Sequence, residues 1–383
     1  MTPRDDAPTR ASGAGRDAGS RPDAGSGPDA GSGPDAGSGR PTMRDVAERV
    51  GLSRQLVSIV LRGAPGASEA SRERILAAAR ELGYHPDDSA RMLRRRRSGQ
   101  IGVLFTMRQP FELDVVDALY RSAAARGYTL ALGAIGTSRP QEAALAELMR
   151  QRIEALIALD AEGAGGIGAE RLSGLPGGIP ALLLGGPTSD EPHDRVGVEN
   201  AAGIALAVDH LARLGHERIA YVGPETGPNA AERISGYRAA MHERGLRDRI
   251  VPSDYTEAGG YRAAASLLDE GLGGAVAGAS GRTSAAPTAL VCNNDHCAIG
   301  VLQTLVRAGV RVPEDVSVIG FDDSTAAALP FVRLTSVRPD PERLAELAIA
   351  AVHARLEAPG APPSVALVAP TLAVRESTAA PRR

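Results

Sequence analysis

From Ile101 onward the chain alternates short, almost wholly apolar runs with longer stretches of helical character, and this alternation restricts the fold more than any other feature. The runs are "IGVLF", "YTLALGAI", "RIEALIALD", "IPALLLGG", "ERIAYVG", "TALVCNND" and "DVSVIGFDD". A strand with one wet face alternates polar and apolar residues. A strand apolar throughout must be covered on both faces, as in parallel sheets wrapped by helices. The pattern therefore predicts doubly wound parallel sheets. The stretch 101–383 is long for one such sheet. Two similar lobes are expected, with a ligand held between them at the carboxyl ends of the strands.

Composition agrees. Apolar residues make up 43% of the 383 residues, but aromatics only 3%, and Trp is missing. The core must rest on Ala, Val, Leu and Ile. No apolar run is long enough for a membrane span. The polar N-terminus lacks the apolar stretch of a secretory signal, and two cysteines cannot build a disulfide scaffold. A soluble, cytoplasmic protein is expected. Charge is uneven: residues 40–100 hold 13 Arg against 7 acids, whereas 101–383 hold 26 Arg against 33 acids. A small basic front end joined to an acidic body points to a polyanion partner at the front and another task behind.

Residues 1–40 repeat "PDAGSG" three times and offer nothing to bury. A disordered tail is expected there. Residues 41–86 predict three short helices. Thr42 with Asp45 forms a capping box, and Val46, Ala47 and Val50 share the face that follows. Gly51 ends that helix. Ser53 caps the second, with Leu52 and Val57 as a hydrophobic staple and Leu56, Val57, Val60 and Leu61 inward. Ser68 caps the third, whose inner face is expected to be Ile75, Leu76, Ala79 and Leu82. Two helices joined by a Gly-containing turn and braced by a third make a helix-turn-helix.

The second helix presents Ser53, Arg54, Gln55 and Ser58 outward. A helix fits the major groove, where Arg pairs with guanine O6/N7 and Gln with adenine N6/N7. Ser53 and Thr42, at helix N-termini, suit phosphate contacts. A plain solvated helix face would look the same. The segment 87–100, "DDSARMLRRRRSGQ", can form a short helix, but Arg94 to Arg97 repel one another. Such a helix is marginal alone and gains order when phosphates neutralise it. Leu93 has no evident core to enter, and an apolar wedge between base steps kinks DNA from the minor groove. A basic linker between domains is the other explanation.

Five segments in order resemble the LacI/GalR family of bacterial transcription regulators: "MRDVAERVGLSRQLVSIVLRG", "RILAAARELGYHPDDSARMLRRRRSGQIGVL", "LARLGHERIAYV", "RISGYRAAMHERGL" and "VPEDVSVIGFDD". The likeness spans about residues 41–380. It implies an all-α helix-turn-helix head over 41–86, a hinge helix over 87–100, and a two-lobed α/β sensor over 101–383 like a periplasmic binding protein. It implies a homodimeric repressor on a pseudo-palindromic double-stranded DNA operator, controlled by a small molecule such as a sugar, with no cofactor and no membrane. Carried over, Arg54 and Gln55 read bases, and Leu93 is the wedge. Thr42, Ser53, Ser58, Ala90 and Arg94 help to position the duplex. One departure stands out: Ile59 occupies a place where many members have an Arg that reads a guanine.

The resemblance also implies a ligand site. Phe111 falls where a first-lobe residue lines the cleft. Arg233 matches an Arg that grips the ligand, and such a fork suits a carboxylate or vicinal oxygens. Asp295 and Asp322 match acids at second-lobe strand ends, and Tyr255 offers a stacking wall. Each has a plainer explanation: core packing for Phe111, a helix surface for Arg233, capping for Asp295 and a turn for Asp322. Gly185 and Glu199 stand where many relatives have Asp. "CNNDHC" lacks the spacing of a metal site, and His216 is expected to brace a strand rather than do chemistry. No GxSxG, P-loop or HExxH motif occurs, so no catalytic residue is assigned. A transporter's solute-binding protein and a sugar or nucleoside enzyme with a fused DNA-binding head are the rival classes.

Overall fold

The computed structural model describes residues 41–84, 97–107, 110–159, 172, 174–185, 193–227, 229–272 and 286–382. The expected tail, Ala90, Leu93, Arg94, nearly all of the expected hinge helix and most of the 271–287 insertion lie outside the described residues. The head and the body form separate compact units.

The head contains α1 (Met43–Val50), α2 (Arg54–Leu61) and α3 (Glu69–Glu81). The Thr42 amide donates to the Asp45 carboxylate at 2.6 Å, and the Asp45 amide donates to the Thr42 hydroxyl at 3.4 Å. This reciprocal pair starts α1. Gly51, at φ 67°, ends it in the left-handed region, where a side chain would be strained. Ser53 and Ser68 cap α2 and α3 by accepting from the amides of Leu56 and Ser71 at 3.2 and 3.3 Å. Val46, Val57, Val60 and Ile75 fill the core, with Leu52, Leu56, Leu61 and Leu82 around them. Leu76 departs from expectation: it is exposed, and Ala78 is buried instead. The inner stripe of α3 runs 75, 78, 79, 82, the spacing one helical face requires. Leu76 lies a quarter turn off it.

The body holds two six-stranded sheets. The first lobe is built from β1 (Gln100–Thr106), α4 (Pro110–Ala125), β2 (Thr129–Ile135), α5 (Gln141–Arg150), β3 (Ala155–Leu159), β4 (Ala181–Leu184) and β5 (Asp194–Val198). The second is built from α6 (Asn200–Arg213), β6 (Ile219–Gly223), α7 (Ala230–Glu243), β7 (Ile250–Pro252), α8 (Glu257–Asp269), β8 (Ala289–Cys292), α9 (Asp295–Arg307), β9 (Ser317–Phe321) and β10 (Thr335–Arg338). The chain then returns to the first lobe with α10 (Pro341–Glu357) and β11 (Val365–Val368), and ends in the second with β12 (Thr371–Ala373). Strand orders are β11-β5-β4-β3-β1-β2 and β12-β10-β9-β8-β6-β7. The pairs are parallel except β10 with β12. β3, β4, β6, β8 and β9 are buried at every residue, as their apolar runs demand.

Helices cover both faces. α4 and α10 pack on one face of the first sheet and α5 on the other. In the second lobe α6 and α7 oppose α8 and α9. A Cβ on Gly260 or Gly300 would stand 2.0 Å from a carbonyl of the facing helix, so α8 and α9 meet backbone to backbone. The chain passes between lobes three times: at Glu199, at 339–340 and at 369–370. These crossings lie side by side. The Glu199 amide donates to the Val368 carbonyl at 3.0 Å, and Arg338 pairs with Thr371.

Candidate nucleic-acid interface and ligand cleft

The N-terminal turn of α2 is exposed. Ser53, Arg54 and Gln55 are exposed and Ser58 is half-buried. Among the described residues, no hydrogen bond or ion pair engages the Arg54 guanidinium or the Gln55 amide. The Ser53 hydroxyl is occupied with capping, which fixes the direction of the helix start. Thr42 is exposed at the start of α1. Ile59 is half-buried, with its Cγ2 3.9 Å from where a Cβ on Gly66 would sit. An apolar side chain there packs against the loop after α2. The Arg62 Nε donates to the Ser58 carbonyl at 2.9 Å, which turns that guanidinium back along its own helix.

In the body, the second sheet changes direction between β6 and β8. A doubly wound sheet opens a crevice at that point, outside its carboxyl ends. Arg233 comes from α7, which follows β6, and Asn293 directly follows β8. Arg233 is only 7% exposed. Its Nε donates to the Asn200 Oδ1 at 3.0 Å and its Nη1 donates to the Asn293 carbonyl. Its Nη2 lies 3.9 Å from the Asp322 Oδ1. The guanidinium stacks 3.6 Å from the centroid of Phe321, a favourable cation–π geometry. Asn200 is held in turn by donating to Glu232 at 2.9 Å and to Asn229 at 3.1 Å. The Tyr221 hydroxyl donates to the Asn293 Oδ1 at 2.8 Å. The Asn293 Nδ2 is buried and has no partner among the described residues. A buried donor left unpaired is costly.

Asp322 and Asp323 follow β9 with φ 111° and 49°. Non-glycine residues held at such angles cost about 1–3 kcal/mol each and cluster at functional sites. Tyr255, after β7, is half-buried, and its hydroxyl lies 2.7 Å from where a Cβ on Gly227 would sit. The Asn294 amide ties the Tyr255 carbonyl to the start of α9 at 3.0 Å. Phe111, at the start of α4, is half-buried against the first-lobe core. The structure thus gathers Arg233 and Asp322, together with Asn200 and Asn293. The last two lie in "VENAAG" and "CNND", where only their position just past a strand end could have signalled them.

Asp295 is a correction. It is fully buried, and its oxygens accept from the Ser336 hydroxyl at 2.6 Å and the Ser324 amide at 2.7 Å. It braces the ends of β9 and β10 and presents no oxygen to solvent. Burial pushes its carboxyl up to about 6. Asn294, not Asp295, caps α9, by accepting from the Cys297 amide at 2.9 Å. Cys292 and Cys297 are both buried. Among the described residues no three His, Cys, Asp or Glu side chains are placed to hold a metal ion. His216 does brace strands. Its Nε2 donates to the Ala379 carbonyl at 2.8 Å, so its Nδ1 accepts from the Thr288 hydroxyl at 2.9 Å.

Known proteins resemble the chain at the level of family, sequence and structure. A family model described as "Bacterial regulatory proteins, lacI family" matches residues 42–87, and one described as "Periplasmic binding protein-like domain" matches 208–378. The chain is 33% identical to the ribose operon repressor of Escherichia coli (strain K12) over 324 residues, covering 83% of this chain and 94% of that one. It is 30% identical to the transcriptional repressor PurR of Erwinia tasmaniensis, covering 88% and 97%. Among solved structures, a LacI transcriptional regulator from a Rhodococcus species is 36% identical with a TM-score of 0.66, covering 74% of this chain and 100% of that one. A Lac repressor dimer bound to operator and an anti-inducer is 25% identical with a TM-score of 0.71, covering 89% and 100%.

Proposed function

The chain belongs to the lacI family of bacterial regulatory proteins and is a DNA-binding transcription repressor under ligand control; from that premise we propose which of its residues read DNA and which hold the effector. Arg54 and Gln55 read base edges in the major groove. Thr42, Ser53 and Ser58 position the head on phosphates. Ala90, Leu93 and Arg94 enter the minor groove at the centre of a pseudo-palindromic operator, one set from each subunit of a homodimer. The domain limits are 41–86 for the head, 87–100 for the hinge helix and 101–383 for the sensor. The observation that carries this assignment is the guanidinium and amide of Arg54 and Gln55, unengaged among the described residues, at a capped, exposed helix start.

The effector is a small polyhydroxy compound of the sugar class. Arg233, Asp322 and the Asn293 amide supply donors and acceptors fit for vicinal hydroxyls, with Tyr255 and Phe111 as apolar walls. An acceptor on the ligand would satisfy the unpaired Asn293 Nδ2. D-ribose is the first compound to test, given the similarity to a ribose operon repressor. The site is read as one that binds rather than transforms, in keeping with the repressors to which the chain is similar. The protein works in the cytoplasm, where its DNA is; no helix among the described residues is long and apolar enough to cross a membrane.

The test starts from DNA fragments selected from a random pool by the full-length protein. A mobility shift should weaken for Arg54→Ala, Gln55→Ala and Leu93→Ala, and respond to D-ribose in the parent but not in Arg233→Ala. Retention of parental affinity and selectivity in these three variants would overturn the DNA assignment. A response to D-ribose that survives loss of Arg233 would overturn the effector site.

A further inference from the structure

The two positive-φ residues after β9 face different ways. Asp322 turns toward Arg233, 3.9 Å away. Asp323, with a side chain only 3% exposed, ion-pairs with Arg338 at 2.9 Å and with Arg375 at 2.6 Å. Its amide donates to the Ser336 hydroxyl at 3.0 Å. Arg338 is the last residue of β10, just before the second crossing between lobes. Arg375 follows β12, just after the third. Arg233 itself holds Asn200, the first residue of α6 and the first past the first crossing. One short kinked segment therefore approaches the cleft arginine with one carboxylate and, with the next, holds two arginines that flank the second and third crossings.

The link between the two carboxylates is stiff. The peptide between them is planar, and a side chain in the left-handed region has little room for adjustment. A ligand that shifts the Asp322 backbone toward itself or away from Arg233 rotates Asp323 against its two arginines. We propose that Asp323 is a positioning residue that carries occupancy of the cleft to the crossing segments, and so sets how far the lobes close. This rests on the assignment of Arg233 and Asp322 to the effector site. The charge of Asp323 is needed as well as its shape, because without it two guanidiniums converge on a neutral point beside the crossings.

The experiment uses the full chain with spin labels on Ala143→Cys in α5 and Ala239→Cys in α7, both exposed. Excess unlabelled protein dilutes it so that distances within one chain are read. The parent should give a narrow interlobe distance distribution. Asp323→Asn should broaden it, and Asp323→Glu should restore it. On DNA selected by the parent, D-ribose should change affinity by a factor within about 5–150, and Asp323→Asn should bring that factor close to one. A parental distance distribution in Asp323→Asn overturns the proposal, as does a lowered melting temperature with unchanged interlobe distances, since either assigns Asp323 to stability alone. If Asp323→Asn does not fold, Arg338→Gln, which removes one exposed arm of the cluster, decides: partial broadening supports the proposal and none overturns it. Failure of D-ribose to bind the parent sinks the effector assignment only, because the label distances are read without it.

Discussion

Asp295 and His216 are buried ionisable groups whose environments pull stability in opposite directions with pH. The carboxyl of Asp295 is raised from an ordinary value of 3.8 to about 6. Its neutral form is favoured in the fold, so its contribution is complete below pH 3.8 and is lost as pH rises through about 6. His216 is lowered by burial from 6.5. Its contribution is present above pH 6.5 and is lost as pH falls below that value. Asp295→Asn keeps an acceptor for the Ser324 amide and removes the charge. It should flatten the pH dependence of the melting temperature between pH 4 and 6. A variant with the parental pH profile would show that Asp295 is ionised without cost. In the head, Ile59→Arg should restore a guanine-reading donor set and shift the selected DNA sequence at one position. Discrimination there should be about 1–3 kcal/mol, read by repeating the selection.

At the scale of elements, α2 has only eight residues and could not persist alone. Its cap and its buried Val57 and Val60 hold it. Ser53→Ala should lower the stability of the head by about 1 kcal/mol while leaving the body unchanged, which hydrogen exchange resolved by segment can separate. Equal protection in both proteins would show that the cap is dispensable. In the body, α10 is fastened to the first sheet by Arg355, whose Nε and Nη2 donate to Asp194 at 2.7 and 3.0 Å. The Ser364 amide and hydroxyl complete that carboxylate at 2.9 and 2.8 Å. Burial raises the Asp194 carboxyl, but these donors outweigh it and hold the group below its usual range. Arg355→Ala leaves a buried charge unpaired and should cost about 3–5 kcal/mol. Loss of the exposed Arg343–Glu346 pair should cost about 0–1 kcal/mol. Denaturant melts of the two variants would compare them directly.

For the whole molecule, affinity for DNA should fall steeply with salt, because arginine contacts to phosphate release condensed counterions. A flat salt series would contradict binding led by the basic front end. Neutralising Arg94 to Arg97 should reduce that slope, whereas Arg54→Ala should chiefly relax sequence preference. A ligand can shift operator affinity only by binding the two lobe arrangements differently. Any change in how the lobes are set against each other would have to pass through the three adjacent crossings, where the chain joins them.

The sequence by itself determined the parallel sheets, because strands apolar on both faces have no other stable setting. It determined the capped helices of the head as well, because Thr42, Ser53, Ser68 and Gly51 act within a turn of where they stand. Its resemblance to a known family also pointed to Arg233 and Asp322; Asp322 directly follows β9, whereas Arg233 lies within α7. Only tertiary structure decided what depends on contacts distant along the chain. Ser336 and Ser324 close over Asp295 and take it out of the cleft. Arg338 and Arg375 converge on Asp323 from segments on either side of α10 and β11. Periodicity shows which face of an element is apolar, but not which polar group another element brings to meet it.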